Sequence, residues 1–321
     1  RARMIRHPAT LLAAIVVAVA VIAPAPITAA VEPTFRLEAV PGRMPRVVRL
    51  TPAAAVRAAD TAIRDVRVRA AAIPTDADWG WIRVGTEAAW TTATTKGEGV
   101  VVAVIDSGVD TEHPAIAGAM WTNPGETAGN SIDDDGNGYV DDVHGWNVAD
   151  GNGDVFDEYG HGTHVAGIIA AKDDGADSLG IAPNAEIMAI RVIGADGGGS
   201  IADVMEGISW AVDHGADVIN LSLGAESDED ELALLQPAFD AARAAGTLIV
   251  AAAGNDGPDD QIIGFPSGLN GVIGVASTDA DHYGDGPVSY YSSRHRSVDL
   301  AAPGYGILST LPGGAHGLES G

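Results

Sequence analysis

The sequence predicts an α/β domain: a doubly wound, mostly parallel sheet with helices on both faces. Three observations carry this. Continuous apolar, β-branched runs recur along the chain, helical patterns fall between several of them, and apolar residues make up 46 % of the 321 residues. Runs of that kind suit strands buried on both faces of a parallel sheet, and strand–helix alternation implies crossover connections. In such sheets, sites gather at the carboxyl ends of strands.

Val100 to Ile105 is the first run, followed by Ile187 to Ile193, Val218 to Leu223, Thr247 to Ala252 and Val272 to Ala276. His164 to Ala171 reads as a helix. So does Ile201 to Val212, with Ser200 in position to cap its first turn. Glu231 to Ala245 is a third, with Gly246 placed to close it in a left-handed conformation.

The segments before this domain differ in charge. Residues 1–70 carry 11 Arg against 4 acidic residues, whereas residues 71–321 carry 7 basic against 40 acidic. Such asymmetry separates two segments with different jobs. Arg6 precedes Leu11 to Ala23, an unbroken apolar run of 13 residues, and small residues at Thr28-Ala29-Ala30 follow. That order is the order of a secretory signal peptide, and the run is short for a bilayer, which needs about 20 residues. Residues 1–30 are therefore expected to be a signal peptide. Residues 31–75 are Arg-rich and punctuated by proline, and are expected to be a propeptide or a linker. Thr51-Pro52 predicts a short helix running to about Arg69. Residues 76–321 are the expected α/β domain.

The net charge of −26 argues against nucleic acid and against anionic membranes as partners once the signal is removed. The absence of cysteine excludes disulfides, thiolate metal sites and a cysteine nucleophile.

Three residues stand where the strand ends would put a site. Asp106 closes the first run, in Val104-Ile105-Asp106-Ser107-Gly108. A rigid carboxylate there suits holding an imidazole in one tautomer. His161 lies between glycines in Gly160-His161-Gly162-Thr163-His164-Val165-Ala166-Gly167, at the start of a helix and expected to be exposed to a cleft. His164 is expected to pack inside that helix. The His-x-x-His spacing lacks the glutamate of the zinc motif. Asn255 follows the run ending at Ala253, where an amide can donate to a developing oxyanion.

An acidic loop is a candidate cation site. Asp133-Asp134-Asp135-Gly136-Asn137-Gly138-Tyr139-Val140-Asp141 places oxygens at alternate positions, with Tyr139 offering its carbonyl and Asp141 or Asp142 a last ligand. His144 stands where an EF-hand has glutamate, so the loop is not a complete EF-hand. Calcium is the expected ion. Asp150, Asn152 and Asp154 form a weaker candidate.

The combination resembles the subtilisin-like serine peptidases, the subtilases, from about Trp79 to Gly321. It rests on Val104-Ile105-Asp106-Ser107-Gly108, on the His161 motif, on Asn220-Leu221-Ser222-Leu223-Gly224, on Gly254-Asn255 and on Ala301-Ala302-Pro303-Gly304, in the family's order. The resemblance implies a subtilisin-like fold and cleavage of polypeptide substrates through an Asp-His-Ser triad. His161 would be the general base, Asp106 its orienting carboxylate and Asn255 the side-chain donor of the oxyanion hole. Ser222, Leu223 and Gly224 would form one substrate-pairing edge, and Gly197, Gly198 and Gly199 the other. Ala253 and Gly254 would help wall a specificity pocket with room for a large apolar side chain. The family often binds structural calcium, and a propeptide would act as an intramolecular inhibitor.

The family's nucleophile sits in a Gly-Thr-Ser-Met-Ala motif. Ser309-Thr310-Leu311-Pro312-Gly313 resembles the stretch before it, and Glu319-Ser320-Gly321 its threshold. The resemblance thus implies a serine two residues beyond Gly321, and a chain incomplete at its C-terminus and inactive as it stands. Two functions are open at this level: a secreted serine endopeptidase, and a non-catalytic, calcium-dependent peptide-binding protein that keeps the cleft.

Overall fold

The structure of the protein is a computed structural model that describes residues 35–38, 46–49, 63–64, 79–173, 179–258, 263–280 and 288–321. In chain order its elements are β1 (Phe35–Glu38), β2 (Arg46–Arg49), β3 (Ile63–Arg64), α1 (Trp79–Arg83), α2 (Thr86–Thr92), β4 (Val101–Asp106), β5 (Gly145–Asn147), α3 (His161–Ala170), β6 (Glu186–Arg191), β7 (Gly198–Gly199), α4 (Ile201–Asp213), β8 (Val218–Leu221), α5 (Glu229–Ala245), β9 (Leu248–Ala252), β10 (Val272–Thr278), β11 (Val298–Pro303), β12 (Ile307–Leu311) and β13 (Ala315–Glu319). The expected signal segment lies outside the described residues, and among those described no helix is long and apolar enough to cross a membrane.

The apolar runs become a sheet because they have two faces to bury. Along β4, Val101, Ala103 and Ile105 join one apolar cluster, and Val102 and Val104 join another. Successive strand side chains point to opposite faces, so an unbroken apolar strand needs cover on both. Helices α4 and α5 supply it on the first face through Val204, Ile208, Leu235 and Phe239. Helix α3 supplies it on the second through Val165, Ala166 and Ile169.

Among the described residues seven strands form this sheet, in the order β11-β10-β9-β8-β4-β6-β5. All of its pairings are parallel. Strand β4 sits between β6 and β8. After β4 the chain lays the edge strand β5, fills in β6 between β5 and β4, and then builds outward on the other side through β8, β9, β10 and β11. The carboxyl end of β4 is therefore the switch point, where a crevice opens in doubly wound sheets.

The caps are those the sequence predicts, with one addition. Ser200 Oγ accepts from Asp203 N at 3.2 Å and starts α4. Gly246, at φ 101°, closes α5. Helix α5 begins two residues earlier than expected, because Asp228 accepts from Glu231 N at 2.8 Å.

The N-terminal segment departs from expectation. Where a helix from Pro52 to Arg69 is predicted, Ile63–Arg64 is a strand paired antiparallel with β7. A short segment beside an unpaired glycine edge takes its conformation from that edge rather than from local propensity. The remainder of the predicted helix lies outside the described residues.

Candidate active site

Because the sheet is parallel, its strands deliver their carboxyl ends to one rim. Asp106 ends β4, Asn220 and Leu221 end β8, and Asn255 lies three residues past β9. The registers Val104↔Asn220 and Leu221↔Ala251 hold these ends side by side.

His161 is brought to that rim by α3. Its Nδ1 lies 2.8 Å from Asp106 Oδ1 and 3.0 Å from Oδ2. An ionised carboxylate only accepts, so Nδ1 carries the proton and Nε2 keeps the lone pair. Asp106 is fully buried, and burial pushes its carboxyl above the usual range. The charge and hydrogen bond of His161 and the Ser107 N–H oppose that push. The pair can thus accept a proton on Nε2, the nitrogen turned away from Asp106, and hold the resulting imidazolium against a desolvated anion.

His161 itself is 3 % exposed rather than open to a cleft as expected. The ring lies down on the end of β4 instead of standing out from the helix. Two glycines allow the close approach. A Cβ on Gly162 would stand 2.1 Å from Gly108 O, and one on Gly108, at φ 106°, would stand 2.5 Å from Val155 O.

Asp157 joins the carriers of both residues, and the sequence reading missed it. Its Oδ1 accepts from Ser107 Oγ at 2.8 Å, Gly160 N at 2.7 Å and Tyr159 N at 3.1 Å. Its Oδ2 accepts from Thr163 N at 2.8 Å and Thr163 Oγ1 at 2.7 Å. Ser107 Oγ in turn accepts from Gly162 N at 3.0 Å. One buried carboxylate thereby ties the end of β4 to the first turn of α3. The available signal was an Asp just before a helix start, a capping pattern.

The other expected site residues fall as follows. Ser222, Leu223 and Gly224 are buried just past β8, with Asn220 Nδ2 donating to Ser222 Oγ at 2.8 Å. Gly198 and Gly199 form β7, and Gly197 turns into it at φ 78°. Ala253 and Gly254 are buried, and Asn255 is half-buried. His164 is buried and bonds across to the β12–β13 hairpin, its Nε2 lying 3.1 Å from Ile307 O.

In the acidic loop, Asp133 and Asp135 come together with Glu126, and one oxygen from each lies within 4.8 Å of the others. Glu126 was not legible as a partner, since it is seven residues from Asp133. Asn137 turns its amide to Asp135 and Asp142. Asp141 accepts from Asn130 N and Ser131 N through its carboxylate, and its own N–H donates to Glu126 Oε2 at 3.1 Å. Asp142 is buried and accepts from Asn123 Nδ2 at 2.8 Å. Tyr139 packs its ring on Trp146, centroids 4.9 Å apart. Asp150 and Asp154 meet groups of their own loop, Asn147 Nδ2 and Phe156 N.

Residues 97–319 match the Subtilase family of peptidases. The chain belongs to that family. This subtilase is 36 % identical over 231 residues to an intracellular serine protease of Paenibacillus polymyxa, covering 71 % of this chain and 63 % of that protein. It therefore spans less than two thirds of that relative. It is also 36 % identical over 245 residues to Subtilisin BL of Lederbergia lenta, covering 76 % and 77 % of the two chains. Among solved structures, a cold-adapted subtilisin-like serine proteinase matches with a TM-score of 0.56 and 29 % identity, over 70 % of each chain. The mostly parallel α/β fold expected from the sequence is the fold of this family.

Proposed function

We propose that this subtilase is a secreted serine endopeptidase that hydrolyses peptide bonds through an acyl-enzyme. The observation that carries the reading is the buried Asp106–His161 pair, 2.8 Å apart at the carboxyl rim of the sheet. His161 Nε2 removes the proton of the attacking serine and returns it to the leaving amine. Asp106 holds the tautomer and stabilises the imidazolium. Asn255 donates to the oxyanion of the tetrahedral intermediate.

Ser320 is unsuited to the attack, because it precedes the motif's glycine; its buried Oγ accepts from Gly306 N at 2.8 Å. We propose that the nucleophile belongs to a Gly-Thr-Ser-Met-Ala motif of which Gly321 is the glycine. Codons for Thr-Ser-Met-Ala after Gly321 bear this out; a stop codon there favours a non-catalytic peptide-binding protein. In the full-length protein, His161→Ala abolishes caseinolysis, and surviving activity refutes the triad.

Residues 31–75 are proposed as a propeptide behind a signal peptide of residues 1–30. Strand β3 pairs with Gly198–Gly199, one of the proposed substrate edges, and β2 lies against α4. An extended chain added to that edge occupies the place of a substrate strand. Residues 31–75 added in trans should inhibit the mature enzyme, and no inhibition at low salt would leave them a linker.

Calcium is proposed as a structural ion. Three carboxylates with oxygens within 4.8 Å of one another form an oxygen-rich cluster, and oxygen donors suit Ca²⁺. Glu126, Asp133 and Asp135 would hold it. Chelation should lower the Tm of the full-length protein; an unchanged Tm removes the ion.

A further inference from the structure

The segment that carries Asn255 is held from behind by one loop. Ala253 N continues the sheet by donating to Val275 O at 2.9 Å. After that, residues 291–295 take over. Gly254 O accepts from Ser293 N at 2.9 Å, Gly257 N donates to Tyr291 O at 2.8 Å, and Asp256 N donates to Ser293 Oγ at 3.1 Å. The carbonyl of Ala253 accepts from His295 Nε2 at 2.8 Å. Both partners are buried, at 4 % exposure each.

The chemistry fixes the tautomer. A carbonyl only accepts, so Nε2 carries the proton, and Nδ1 must then accept. Ser297 Oγ stands 2.7 Å from Nδ1 and supplies that donor. Between Ala253 and Asn255 lies Gly254, at φ 110°, the least restricted residue in the segment. Without a donor on the Ala253 carbonyl, a buried acceptor loses its partner, which is costly. The peptide can then turn at Gly254, and Asn255 turns with it.

We propose that His295 is a positioning residue for the oxyanion hole: its Nε2–H, oriented by Ser297, fixes the Ala253 carbonyl and through it the aim of the Asn255 amide. This rests on the assignment of Asn255 as the oxyanion donor. The donor must sit where charge develops in the transition state rather than where the ground-state carbonyl lies. Loss of aim therefore lowers kcat and spares KM.

The test is a mutant cycle in the full-length protease with a peptide substrate. Asn255→Ala should lower kcat by roughly 10²–10³-fold. His295→Leu should lower it by about 10- to 100-fold with KM within about 3-fold, since small misplacements have effects of that order. His295→Gln, which keeps a donor near the Nε2 position, should recover to within about 3-fold of wild type by the same principle. Added to Asn255→Ala, His295→Leu should cost almost nothing further, because a residue acting through Asn255 has nothing left to aim. Should His295→Leu not accumulate as folded protein, Ser297→Ala takes its place, with a smaller fall in kcat that vanishes in the Asn255→Ala background. Wild-type kcat in these variants, or an equal loss with and without Asn255, overturns the inference and leaves the oxyanion assignment standing. An unchanged kcat in Asn255→Ala removes both.

Discussion

Replacing Asp157 by asparagine tests whether one buried carboxylate locks the Asp106 and His161 carriers together. Asp157 accepts five hydrogen bonds, three on Oδ1 and two on Oδ2. An amide keeps one accepting oxygen. Its best orientation leaves that oxygen facing Ser107, Tyr159 and Gly160 and turns the NH₂ toward Thr163. The Thr163 hydroxyl can rotate to accept, but the Thr163 N–H meets a donor and goes unpaired. A buried unsatisfied donor costs about 1–3 kcal/mol, and hydrogen bonds to a charged group contribute about 1.5–3 kcal/mol each. Allowing for relaxation, the loss is roughly 2–4 kcal/mol. For a chain of this size that lowers the Tm by roughly 3–6 °C. Thermal unfolding followed by circular dichroism measures it. Asp157→Asn within about 1 kcal/mol of wild type, the scatter of ordinary surface changes included, would refute the account of Asp157 as a tie between strand and helix.

Two further perturbations follow from the geometry. Gly162→Ala places a Cβ 2.1 Å from Gly108 O and 3.1 Å from Asp106 Cβ, so α3 must shift away from β4. The Asp106–His161 bond should open, and with it the far-downfield proton resonance of the shared Nδ1–H should be lost. A retained resonance would mean that the helix start tolerates the methyl. Tyr291 gives a pH dependence. Burial pushes its phenol from 10.0 up to about 12, against the hydrogen bonds of Ser277 and Ser289. The unfolded chain ionises first as pH rises, so this contribution is fully present below pH 10 and is lost between pH 10 and about 12. A shift of that size is worth about 3 kcal/mol. Tyr291→Phe should flatten this part of the alkaline stability curve; an unaltered slope would show that the phenol ionises freely in the folded state.

Much of the fold was legible because its signals are local. The run at Val100 to Ile105 cannot sit in water on either face, and it becomes the central strand β4. Ser200 and Gly246 end their helices through bonds to their own neighbours. His161 was legible because its flanking glycines announce a close backbone approach, and the 2.1 Å gap at Gly162 is that approach.

What was not legible depends on partners far along the chain. Nothing near Asp157 announces that Ser107, fifty positions away, donates to it. Nothing near His295 announces that its ring donates to Ala253 O, 42 residues distant. In the acidic loop, spacing alone offered six ligands, but the turn gathers Asp133 and Asp135 with Glu126 and engages the Asp141 carboxylate with Asn130 N and Ser131 N. At Ile63–Arg64 a helical pattern gave way to a glycine edge it could not foresee.

The sequence by itself determined the sheet and its covering helices, since apolar periodicity and glycine punctuation are set within a few residues. Only the tertiary structure decided that Asp106 and His161 meet at one rim, which backbone groups are held rigid around them, and which carboxylates share a site. Those are matters of distances between segments that chain connectivity does not constrain, fixed when the two faces of the sheet are buried together.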